Sequence, residues 1–175
     1  MTRTIYKQRY LLLLLLLTFC HVQTSLGSDY IIQTVAGSGA HEDNGAAGAA
    51  LQTNINQPFG VEVGPDGALY ITEVGHHRVR RLDRKSGRLT TVAGTGEKGY
   101  SGDGQKATDA KMNEPYEVRF DRDGNIYVVE MQNHIVRRVD AKTGKIATIA
   151  GTGQAGYGGD GGPAPGAARR AAARC

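Results

Sequence analysis

The sequence predicts an all-β fold assembled from repeated four-stranded antiparallel sheets. Three observations carry that expectation. Gly is over-represented, at 25 of 175 residues, and Trp is absent, a composition suited to many turns joined by short strands. The stretches TVAGSG, TVAGTG and TIAGTG begin at Thr34, Thr91 and Thr148, a spacing of 57 residues both times. Between the first two units the register holds without a gap, and 21 of 57 positions are identical. Pro58 falls on Pro115, Val61 on Val118, Tyr70 on Tyr127, Glu73 on Glu130, His77 on His134 and Arg80-Arg81 on Arg137-Arg138.

Each unit parses into four strands. In the first unit, residues 60–63 lead to Pro65-Asp66-Gly67, whose Asp-Gly step signals a hairpin. Residues 68–73 (ALYITE) form a second strand that is apolar on both sides, as a sheet with neighbours on both faces requires. A loop over 75–77 precedes the third strand, 78–83, and the turn 84–87 leads to the fourth, 89–93. The second unit repeats this over 117–150, with Asp123-Gly124 and Thr143-Gly144 at its turns. Residues 30–36 (YIIQTVA) match a fourth strand with no first three before it. Such units are the sequence form of β-propeller blades. Two complete blades, about 60–93 and 117–150, make a partial ring, and a lone leading strand suits a ring closed by both chain ends.

Val79 and Leu82 cannot share one face of a regular strand, so Arg80-Arg81 and Arg137-Arg138 imply a bulge or an Arg stem laid on the sheet. Asp83 and Asp140 stand close enough in sequence to serve as ion partners. The stretch GTGEKGYSGDG, from Gly94 to Gly104, fits G-x-G-x-x-G. A dinucleotide loop must open a helix, which YSGDG cannot start, and the pattern recurs at Gly151, Gly153 and Gly156. It reads as an inter-blade connector.

The residues also carry a resemblance. The pattern P-x-x-V…D-G-x-[IL]-Y-[IV]…N-H-x-V-R-R-V-D, present as Pro115 to Asp140, resembles the NHL repeat. The T-[VI]-A-G-T-G-x-x-G-Y-x-G-D-G insertion resembles the bacterial and teneurin-like branch of that family. The resemblance covers about Tyr30 to Ala164. It implies a ring, six-bladed in a full-length relative, that presents variable loops on a rigid frame. The chain departs from the pattern at the end of the second strand, where the family usually has Asp and Glu73 and Glu130 stand here.

The two ends read differently from the repeat. Arg3, Lys7 and Arg9, the apolar run from Leu11, and Ser25-Leu26-Gly27 form an export signal over 1–27, cleaved after Gly27. A lipoprotein site at Cys20 is the alternative form. Past Gly162 the residues are almost all Ala, Pro, Gly or Arg, so 164–175 read as an off-register Ala/Arg tail. That composition fits a displaced reading frame in a GC-rich gene, or a genuine tail. Setting aside the six basic residues of the two ends leaves 15 basic against 17 acidic side chains, so no nucleic-acid partner is expected. With Cys20 gone, Cys175 stands alone and no disulfide or Cys-based metal site is available.

Several residues invite a chemical reading. His76, His77 and His134 lie in the loop after the second strand, but adjacent side chains of an extended segment diverge, which favours a structural role. Asp121, Asp123 and Asn125 alternate as calcium ligands do, making Ca2+ a candidate; a hairpin turn is the competing reading. Asn113, Glu114 and Glu117 lie at or before a first strand, on the channel side of a propeller. The resemblance to lactonase- and lyase-like propellers makes them candidate metal ligands there. The expectation is an exported, non-enzymatic module binding a protein, glycan or small ligand, with self-association possible through open blade edges. A metal-dependent propeller enzyme is the alternative.

Overall fold

The computed structural model describes residues 31–168, and the account below concerns the compact unit that begins at Thr34. Strands β2 (Pro58–Val63), β3 (Leu69–Glu73), β4 (Arg78–Asp83) and β5 (Arg88–Ala93) form an antiparallel meander, and the short β1 (Ala47–Ala49) adds to the outer edge of β5. Strands β6 (Pro115–Phe120), β7 (Ile126–Glu130), β8 (Ile135–Val139) and β9 (Ile146–Ala150) form the second meander. These are two all-β propeller blades. Among the described residues no helix is long and apolar enough to cross a membrane.

Two expectations about the ends of the repeat change. Residues 31–36 form no strand. The outer edge of β5 is taken instead by the connector, where Thr91 N–H donates to Ala46 O at 2.9 Å and Ala50 N–H to Gly87 O at 2.8 Å. Residues 164–168 are not off register. A 3-10 turn recurs at Ala50–Gln52, Ala107–Asp109 and Ala164–Gly166, again 57 residues apart. The bonds recur with it: Gly37, Gly94 and Gly151 N–H donate to Ala50, Ala107 and Ala164 O at 2.9, 2.9 and 3.2 Å. Gly102 Cβ, if present, would sit 2.7 Å from Ala110 Cα, and Gly159 stands in the same relation to Ala167. The position demands a small residue, so an Ala-rich stretch satisfies the repeat while looking unlike it. The export segment and residues 169–175 lie outside the described residues.

The arginine pairs resolve without any fault in their own strand. Val79 and Leu82 lie on opposite faces of a regular β4, and both faces are covered. The bulge is in the neighbouring fourth strand: Val79 pairs with Ala93 but Arg80 with Thr91, leaving Val92 extra, and Ile149 is extra in the same way. On one face Tyr70, Val79 and Ala93 of the first blade pack against Val118, Val128 and Ile146 of the second, with Ala107, Ala110 and Met112 of the connector between them. Burying each of the large apolar side chains contributes about 1.5–3 kcal/mol. On the other face Ile71, Leu82 and Leu89 lie under Ala50 and Ile55 of the preceding connector. Each connector therefore plugs the core beside the blade it enters.

Candidate functional site

The most deeply buried charges hold the connectors down. Glu73 ends β3 and Glu130 ends β7, and neither has exposed surface. Their repeat-related bonds are the same in kind. Asn56 N–H donates to Glu73 at 3.1 Å and Asn113 N–H to Glu130 at 3.0 Å, fixing the end of each connector. Residues at one repeat position, His76 and Asn133, bond the same carboxylates. Arg80 and Arg137, both fully buried, reach from the adjacent strand over the carboxylate to connector carbonyls: Arg80 to Ala46 and Gly45, Arg137 to Lys111 and Ser101. Burial pushes the Glu130 carboxyl up, opposed by the Asn113 N–H and the Arg137 charge. Glu reaches from the strand end to both the connector and the third strand, which gives the departure from Asp its physical content.

The two clamps differ at three linked positions. In the second, Arg137 also bonds Asp103, and its guanidinium carbon lies 5.4 Å from the Tyr100 ring centroid. In the first, Ala46 stands where Asp103 does and Asp43 where Tyr100 does. A second guanidinium compensates: Arg78, at the position of Ile135, donates to Glu73 at 3.0 Å and to Asp43. Burial raises the Asp43 carboxyl, but the Arg78 bond and charge outweigh it and hold the group below its ordinary range. Asp103 is held low in the same way by Thr148 and Arg137.

This exchange leaves a slot. Arg78 and Asp43 fill the space beside Gly96 in the first unit, lying 3.5 and 3.6 Å from where its Cβ would be. The matching space in the second unit is an open cavity of about 190 Å³ lined by Tyr100, Asn133, Ile135, Thr148 and Gly151-Thr152-Gly153. Its lining mixes an aromatic ring, an aliphatic side chain, an amide and hydroxyls, and carries no charge. Tyr100 is fixed there by bonds to Thr148 at 3.0 Å and Asp103 at 3.3 Å. The glycine loop beside it is no phosphate cradle. Gly94 has φ +90° with its absent Cβ 2.4 Å from His77 O, Gly151 repeats this against His134 O, and their N–H groups bond connector carbonyls.

No family model matches the chain. Suppressor of Quenching 1 of Arabidopsis thaliana, a chloroplastic protein, is 32% identical over 61% of this chain and 10% of its own length. NHL repeat-containing protein 2 of Bos taurus is 29% identical over 58% of the chain and 14% of that protein, and teneurin-3 of Mus musculus 30% identical over 51% and 4%. These likenesses support an NHL-repeat β-propeller family for the chain. The chain spans between 4% and 14% of the length of these relatives. An auxiliary nutrient binding protein of Bacteroides thetaiotaomicron, 25% identical, superposes with a TM-score of 0.48 over 62% of this chain and 29% of its own.

The residues singled out from sequence bond within their own turns and to neighbouring strands and connectors. Asp121 accepts from the Asp123 and Asn125 N–H groups through one oxygen, and from the Asn125 amide and Tyr127 hydroxyl through the other. Asn125 Oδ1 in turn accepts from Ala141 N–H at 2.9 Å, tying two turns together. The Asp123 side chain points to solvent. Asn113, Glu114 and Glu117 do not converge: Glu114 has φ +52° and donates its N–H to His77 Nδ1 at 3.3 Å, while Glu117 pairs with Arg119 at 2.8 Å. His134 occupies the same left-handed position as His77, and its Nδ1 is buried without a partner among the described residues. Among those residues no three His, Cys, Asp or Glu side chains are grouped to hold a metal. Sequence reasoning missed Asp43, Arg78, Tyr100 and Asp103. Only a position-by-position comparison of the units, reading Asp43 with Arg78 against Tyr100 with Ile135, would have found them.

Proposed function

We propose that this chain is a recognition module of an exported NHL-repeat propeller, and that it reads its partner on the connector side of the second blade. The observation that carries this reading is the slot: one repeat fills it with its own arginine and the other leaves it open. At about 190 Å³ the slot is below the usual size of a small-molecule pocket. It suits one side chain of a partner protein, apolar in body with a polar end, lying between Tyr100 and Ile135 and bonding Asn133 or Thr148. The buried charges support the same reading, because each clamp is spent on holding the connectors rigid, and rigid loops bind with less ordering cost.

The test fills the slot with the chain's own solution. The double variant Tyr100→Asp/Ile135→Arg copies the first unit at two of the three linked positions and should keep the fold. Isotope-labelled protein is titrated with tyrosinamide, leucinamide and methionine amide, following backbone amide shifts. Shifts clustered at Gly99–Tyr100, Asn133–Ile135 and Thr148–Gly153, abolished in the double variant, are the expected result. Shifts elsewhere, or shifts indifferent to the double variant, would sink the reading.

A further inference from the structure

One pair of acceptors is served by different chemistry in the two repeats. Just after β7, the Asn133 amide donates to Glu130 and, at 2.9 Å, to the connector carbonyl of Gly99. At the matching place His76 lies 2.9 Å from Glu73 through Nδ1 and 2.9 Å from the connector carbonyl of His41 through Nε2. An amide always has two N–H bonds to give, whereas a neutral imidazole has one. The His41 carbonyl can only accept. Glu73 takes the Asn56 N–H and the Arg78 Nε–H, and Arg80 Nε stands 3.0 Å away, so its carboxylate is held ionised and also only accepts. His76 can make both contacts only with a proton on each ring nitrogen.

We infer that His76 is a proton-operated latch on the first connector, closed when the ring is charged and released at His41 when it is neutral. The side chain is 7% exposed, so water does not readily replace a lost partner. Around it stand Glu73 of β3, Arg78 and Arg80 of β4, Asp43 of the connector, and His77 next along the chain. The two carboxylates favour the charged ring and the two guanidinium groups oppose it. The other side-chain donors that hold 41–46 keep their protons at any ordinary pH: the Asn54 amide on Glu42 O at 2.7 Å, Arg78 on Asp43, and Arg80 on Gly45 O and Ala46 O. A neutral His76 keeps its charge-assisted bond to Glu73 and turns a bare nitrogen towards His41 O. The connector then lifts around His41 while the arginines hold the rest, a local opening that leaves the sheet intact. The second connector, latched by Asn133, has no such response.

Two measurements on the full chain, run together from about pH 6 to about pH 9, test the inference. Two-bond 1H–15N spectra count the protons on the His76 ring, and a glutamate-specific protease, with products mapped by mass, reports cleavage after Glu42. The comparison at each pH is His76→Asn, which copies Asn133 and should keep the fold. Wild type and His76→Asn should be cut equally slowly wherever the ring holds two protons. Where it has lost one, the wild type should be cut several-fold faster and the variant should stay flat. His76→Leu, with no N–H to give, should be cut faster than His76→Asn at every pH. The readout is local and not the unfolding midpoint, to which the His77 bond across the blade joint also contributes. A ring with one bare nitrogen beside an unchanged Glu42 site would overturn the latch. So would a pH response that persists in His76→Asn, or a His76→Leu chain as well protected as His76→Asn.

Discussion

At the scale of single residues, Glu130 has no exposed surface, takes a backbone N–H, an amide and a guanidinium, and is nevertheless pushed towards its neutral form by burial. Its worth lies in what its loss would strand. Glu130→Ala leaves Arg137 buried with only Asp103 as a counter-charge and frees the Asn113 N–H. The expected cost is about 3–5 kcal/mol, read from urea unfolding. Arg137→Met in the Glu130→Ala background should recover part of that loss, since it removes the uncompensated cation. The importance of Glu73 and Glu130 was visible in the sequence as a departure from the family pattern. Their partners were not, because Arg137 meets Asp103 34 residues away, in an irregular connector where no periodicity reports which side chains turn inward.

At the scale of elements, the strands were legible and the connectors were not. Strands announce themselves through alternation and Asp-Gly turns, so both meanders could be drawn from the sequence. The connectors keep their register through close approaches of glycine and alanine backbone, which composition alone renders as filler. The bulges at Val92 and Ile149 were likewise hidden, because the arginines that hint at an irregularity sit in the regular neighbouring strand. Gly60 shows how an element can be fixed by a missing side chain. Thr72 Oγ1 accepts the Gly60 N–H at 2.7 Å and donates to Tyr116 O at 3.0 Å, stitching β3 to both inner strands. Gly60→Ala therefore pushes the second blade away and should cost about 1–3 kcal/mol in thermal or urea unfolding. Gly67→Ala, at a turn with open space but φ +74°, is the control for ordinary glycine loss.

At the scale of the whole molecule, the joint between blades carries a titratable group. His77 Nδ1 accepts the Glu114 N–H across that joint, a bond that a protonated ring cannot accept. Burial holds the His77 pKa below its ordinary value, with Lys98 and His76 adding to the effect and Glu114 opposing it. A group depressed in the folded state gives stability that is complete above the unfolded value, near pH 6.5, and is lost as pH falls through the folded one. Unfolding midpoints measured from pH 8 down to pH 5 should decline over that window. His77→Asn tolerates the left-handed backbone and can accept the same N–H, so it should flatten the decline. From the sequence alone, His77 and His134 could only be recognised as repeat partners. That one faces a neighbouring blade depends on ring geometry, which no local pattern encodes.

The connectors also decide where this molecule could be cut and rejoined. Because Ala107, Ala110 and Met112 are wedged between the two sheets, a fragment ending at the last residue of β5 would leave its neighbour unplugged. The exposed turns at Gly87 and Gly144, both with φ +66° and nothing near their missing Cβ, interrupt no such packing. The interchangeable module is therefore Arg88 to Gly144: one fourth strand, one wedge and the three strands that follow. Grafts exchanged between rings should be drawn to those boundaries and not to the edges of a sheet.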